Sequence, residues 1–206
     1  MASQAAVVTV PTGLNPGDQY RLVFVTSTTR NATSTTIADY NSFVNTAAAL
    51  NSDLDGISWT AIASTNSVNA LTNTSTAGAG TGITIHLLND TLFAADYTTL
   101  WTTNAKPSLN ITEQGVIGGT SLVWAGTNPD GTTNSATLGE ASARAGKSNV
   151  TSGQTQSWWI TRANQTNTLE FSIFAMSEVL TVAVPEPSST ALLGLGGLAL
   201  IFRRRK

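Results

Sequence analysis

The sequence predicts an α+β body followed by a short apolar C-terminal helix that enters a membrane. Three observations carry this. Tyr20–Thr26 is an almost unbroken β-branched and aromatic run, the signature of a strand buried on both faces. Ile37, Tyr40, Phe43, Val44, Ala47 and Leu50 recur at steps of three and four, which is helical spacing. After Asp53 the chain breaks into short strand-like pieces between turn formers, so a single early helix is followed by many strands.

Taken in order, Val7–Val10 is β-branched and leads into turns from Pro11 to Gly17. The strand Tyr20–Thr26 follows. Thr36-Ile-Ala-Asp39 has the spacing of a capping box with Asp in place of Glu, and so places the start of the helix. Ile57–Ala63 and Ile83–Leu88 read as strands, and Asn66–Gly82 between them as a polar loop. Leu92–Trp101 has room for a helical turn. Leu122–Ala125 is a short strand entering the turn chemistry of Gly126–Gly131. Thr132–Gln156 reads as a long polar stretch. Ser157–Ile160 and Leu169–Met176 read as the last paired strands, and Val179–Ala183 runs on to the tail.

The tail, residues 185–206, has three parts. Pro185-Glu186-Pro187 interrupts regular structure, since proline fixes φ and removes a donor. Residues 188–202 are uncharged, small and apolar, and Arg203, Arg204, Arg205 and Lys206 follow as a cationic stop, a charge pattern that holds the cytoplasmic side of a membrane. The segment of 15 residues is shorter than the ~20 of a comfortable span. The alternative is a core helix packed on Tyr20–Val25, but four consecutive cations at its end resist burial.

This order of Pro-Glu-Pro, short Gly/Leu helix and Arg cluster resembles the PEP-CTERM sorting signal. The resemblance implies an exported protein held as an inner-membrane-anchored precursor. An exosortase, a membrane protease or transpeptidase, would cut near Pro185-Glu186-Pro187 and pass the body to the cell surface or the extracellular matrix, in company with exopolysaccharide. At the other end, residues 1–6 read either as the remnant of a signal-peptide cleavage region or as a plain terminus. Residues 7–184 form the extracellular body.

Composition narrows what that body does. The 12 acidic residues less Glu186 leave 11, and the 10 basic residues less the four tail cations leave 6, a balance near −5. Six scattered cations argue against a nucleic-acid partner. Charged residues are 11% of the chain, against ~25% in ordinary soluble domains; Thr, Ser and Asn fill the polar surface. With no cysteine, disulfides, thiol nucleophiles and thiolate metal sites are excluded.

Strand Tyr20–Thr26, helix Ile37–Leu50, Trp59–Ser64, Leu122-Val-Trp-Ala-Gly-Thr127 and the closing Phe174–Ser177 together resemble a C-type-lectin-like domain, in its bacterial lectin-like and endostatin-like branch. The chain departs from the classical lectins in lacking their cysteines and the Glu-Pro-Asn or Gln-Pro-Asp calcium–sugar tripeptide. The alternative fold is a jelly-roll β-sandwich.

Reactive groups are sparse, and no enzyme or cofactor is expected. His86 is the one histidine and reads either as a structural strand residue or as a base; no Gly-x-Ser-x-Gly elbow accompanies it. Asp53 and Asp55 before Gly56 read as a turn or as calcium ligands lacking the rest of their loop, and Asp130 before Gly131 reads likewise. Asp90, Asp96, Glu113 and Glu140 provide no defined pair for glycoside hydrolysis. Trp158 and Trp159 are the candidate sugar contacts: as strand neighbours they would face opposite ways, one of them outward to stack on a ring. Trp59 and Trp124 sit in apolar contexts that suit core. The readings are therefore a non-catalytic surface or matrix protein, a carbohydrate-binding module, or a hydrolase acting on matrix polysaccharide.

Overall fold

The structure, a computed structural model, describes residues 7–102, 106–118, 122–150 and 154–185. It is built on β1, Gln19–Val25, whose residues after Gln19 are all buried, as its continuous apolar run predicts. One edge of β1 pairs in parallel with β3, Thr84–Leu87, which is flanked by β4, Leu92–Ala94. The other edge is shared: β8, Ser172–Ser177, takes Val23–Val25, and β9, Leu180–Thr181, takes Gln19 and Tyr20. β8 likewise divides its far edge between β2, Trp59–Ala61, and the parallel β5, Val123–Trp124. Antiparallel β6, Ser142–Gly146, and β7, Ala163–Thr166, complete the sheet beyond β5.

The result is a mixed, sheet-rich body with few helices. A jelly roll is antiparallel throughout; the two parallel pairs, β1–β3 and β5–β8, depart from that alternative.

Helix α1, Ile37–Ala48, buries Tyr40, Val44, Ala47 and Ala48, the i, i+4, i+7 stripe expected of it. Its start is not the predicted capping box. Thr36 makes no side-chain cap bond, and the Asp39 carboxylate instead accepts from Ser34 Oγ at 2.6 Å. Leu50, counted by its spacing with the helix face, lies beyond the helix and is exposed.

The asparagines have a structural use. β2 has β8 on one edge only, and its other edge is closed by amides. Trp59 N donates to Asn45 Oδ1 at 3.0 Å, Ala61 N donates to Asn41 Oδ1 at 2.9 Å, and Asn73 Nδ2 donates to Ala61 O at 2.7 Å. Neutral amides satisfy buried backbone that charges could enter only at a desolvation cost, which accounts for part of the low charge content.

Two short helices complete the described elements: α2, Ala70–Asn73, capped by Asn69, and α3, Tyr97–Leu100, capped by Asp96. α2 lies in what the sequence predicts as a plain loop; its four residues are too few to show a period. α3 is the helical turn expected within Leu92–Trp101. The predicted strand Ser157–Ile160 is a 3₁₀ turn, Gln156–Trp159, and the polar stretch before it contains β6.

The core is aromatic at its centre. Phe24 meets Trp59 edge-on at 4.7 Å, Trp124 meets Phe171 at 4.7 Å, and Trp159 lies among Phe93, Trp101 and Phe174. Trp59 and Trp124 are thus core residues.

Candidate functional site

The chain leaves the body at a sharply defined point. β9 pairs with β1 through Leu180 and Thr181, and Val182 makes the last backbone bonds among the described residues: its N–H donates to Asp18 O and its carbonyl accepts from Gly17 N, both at 2.9 Å. Beyond it Val184 is 65% exposed and Pro185 is exposed. The first residue of Pro-Glu-Pro and the one before it thus stand open to solvent, as access by a processing enzyme requires.

Residues 183–206 match the PEP-CTERM protein-sorting motif. The tail is a PEP-CTERM sorting signal. The PEP-CTERM signal covers the expected Pro185, Glu186 and Pro187 together with the cationic stop, and it begins one residue after the last backbone bond among the described residues. The PEP-CTERM motif implies an exosortase as processing partner for an exported protein. No curated protein matches the chain. Among the described residues no helix is long and apolar enough to cross a membrane. The expected helix 188–202, with Glu186, Pro187 and Arg203–Lys206, lies outside the described residues, as do residues 1–6.

Within the body the predicted residues do not converge. His86 is buried; its Nε2 is 3.0 Å from Thr84 Oγ1 and its Nδ1 is 3.3 Å from Asp90 O. Glu113 is wholly buried elsewhere, accepting from Ser27 N at 2.9 Å and from the Ser27 hydroxyl. Ser27, but not Glu113, lines a cleft of about 310 Å³ together with Thr26, Thr112, Gln114, Val116 and Ser172. A serine bonded directly to a carboxylate, with the histidine bonded to other residues, does not assemble the nucleophile–imidazole relay of hydrolases. Asp53 lies within a 3₁₀ turn, Ser52–Leu54, and Asp55 caps its end, while Asp130 accepts from Thr132 N and Oγ1. Among the described residues no three His, Cys, Asp or Glu side chains group as metal ligands.

The paired tryptophans are placed differently from the expectation. A 3₁₀ turn does not alternate faces as a strand does. Trp159 is 2% exposed inside the aromatic cluster, which removes it as a surface sugar contact. Trp158 is half-buried, with the Arg162 guanidinium 5.4 Å from its ring centroid. It is the tryptophan of the pair with an accessible surface.

Arg21, which the sequence pattern does not single out, forms the floor of a second cleft of about 150 Å³. Its one signal is a lone cation inside the apolar run of β1.

Titration of the body has a distinctive alkaline profile. Burial lowers the Lys106 ammonium to about 8 and raises the Tyr40 phenol to about 12. Between about 8 and its ordinary value Lys106 binds a proton only when unfolded, so stability rises with pH there. Tyr40 acts oppositely: its contribution is complete below 10 and is lost as pH rises through about 12. Urea unfolding at several pH values is expected to show a midpoint that climbs above pH 8 and falls again beyond pH 10, with the climb abolished in Lys106→Met. On the acid side, hydrogen bonds from Thr12, Thr99 and Thr132 hold Asp90, Asp96 and Asp130 below the usual carboxylate value, so their contributions disappear as pH falls past that value.

Proposed function

We propose that this chain is an exported, non-catalytic protein, made as an inner-membrane-anchored precursor, cut by an exosortase near Pro185-Glu186-Pro187, and retained at the cell surface in exopolysaccharide. The observation that carries the reading is the PEP-CTERM signal at residues 183–206, which begins one residue after the last backbone bond among the described residues. A body rich in uncharged Thr, Ser and Asn, with no assembled relay of reactive groups among the described residues, supports the non-catalytic part. Removing the host's exosortase is expected to leave the protein in the membrane fraction at precursor mass. Normal release in that strain would refute the sorting step.

The second reading is a carbohydrate-binding module on a C-type-lectin-like fold. The order of β1, α1, β2, β5 and closing β8 supports that fold, and the partial exposure of Trp158 supports a stacking contact. On a glycan array, Trp158→Ala is expected to lose binding about tenfold, since one stacking contact contributes ~1–3 kcal/mol in comparable aromatic platforms. Unchanged binding would remove Trp158 from the reading.

A further inference from the structure

Arg21 is 4% exposed at the centre of the sheet, on the edge of β1 between its pairings with β8 and β9. Both hydrogen bonds of its guanidinium to described residues come from Nη1, to Thr74 O at 2.6 Å and Ser177 O at 3.2 Å. Its Nε is buried with no acceptor. The face of Tyr97 lies 5.2 Å from Cζ. No described carboxylate pairs with it, although a buried cation normally finds one. Carbonyl dipoles and a ring face compensate such a charge only in part.

The cleft above Arg21 is open, and most of the residues that line it are polar. Ser58, Ser75 and Glu178 form its exposed rim; Thr74 and Ser177 form the floor with Arg21. Glu178 Oε1 accepts from Ser58 N at 3.2 Å. The rim therefore presents one carboxylate acceptor and two hydroxyls, and the floor one cation.

We propose that this cleft binds a single carboxylate-bearing sugar residue, its carboxylate on Arg21 and its hydroxyls on the Ser58, Ser75 and Glu178 rim. The inference rests on the proposed residence in polysaccharide and names the chemistry taken there. A simple dianion such as phosphate would meet the Glu178 charge without using it. A sugar acid uses both ends, because its hydroxyls donate to the rim carboxylate. The volume of about 150 Å³ is that of roughly five waters at ~30 Å³ each, the scale of one sugar ring.

The test is calorimetric titration of the full-length protein, held in neutral detergent, with glucuronate, glucose, acetate and phosphate. Glucuronate is expected to bind, weakening as salt rises, with glucose, acetate and phosphate each at least tenfold weaker. Arg21→Met is expected to lose glucuronate binding. Because Arg21 also ties β1 to Thr74, Ser58→Trp serves as a second variant that plugs the rim from an exposed position, and it is expected to lose at least tenfold with unchanged thermal unfolding. No glucuronate binding, equal binding of acetate or phosphate, or wild-type binding by a folded Ser58→Trp would each overturn the proposal. Failure here with normal tail processing refutes this site alone; glucuronate binding by a chain that is never processed refutes the sorting reading alone.

Discussion

Gly146→Ala is expected to remove a large part of the body's stability. A Cβ at Gly146 would overlap the Trp159 carbonyl oxygen and stand 2.8 Å from Ile160 Cα. Both are backbone atoms, so no side-chain rotation relieves the clash. Gly146 ends β6 opposite Val123 of β5, and the 3₁₀ turn carrying Trp159 crosses directly above it. Moving that turn outward would withdraw Trp159 from Phe93, Trp101 and Phe174 and open the core. A cost of ~4 kcal/mol or more is therefore expected, out of the ~5–15 kcal/mol that a domain typically has. At about 2–4 °C per kcal/mol for a body of this size, thermal unfolding should fall by roughly 10 °C. Gly13→Ala is the control: its φ is +80 with nothing within 4 Å, so only the left-handed backbone penalty of about 1–2 kcal/mol applies. Equal midpoints for the two variants would mean that the turn does not lie on Gly146 as described.

Ending the chain at Val184 is expected to separate folding from delivery completely. Among the described residues the last backbone bonds to the body are those of Val182, and Val184 is already exposed, so the truncated body should unfold within about 1 °C of the full chain. Its delivery should fail entirely, because the PEP-CTERM signal is an address that an enzyme reads, and the truncation removes nearly all of it. Scanning calorimetry and cell fractionation check the two halves. A large loss of stability would place part of the tail against the body; normal delivery would make the signal irrelevant.

What the sequence disclosed follows physical signal strength. β1 was legible because a short, continuous β-branched and aromatic run between turn formers suits a buried strand far better than a helix, and α1 because six residues repeat one period. β6 was not. Ser-Ala-Arg-Ala-Gly has poor strand propensity and is held extended by pairing with β5 and β7, a tertiary effect that no local window contains. The two tryptophans misled for a related reason: adjacent aromatics suit a strand, but Trp158 N donates to Thr155 O and tightens the segment into a turn. Arg21 was hidden by its neighbours, since a run judged by average hydropathy discards the single residue that does not fit. The tail needed no tertiary context, because its three parts are read in order along the chain.

The most direct test of the account is the mass of the protein recovered from the surface of its native host. Cleavage near Pro185-Glu186-Pro187 predicts a C-terminus at that site, with residues 188–206 gone from the mature chain. A surface protein whose mass and terminal peptide run intact to Lys206 would contradict it.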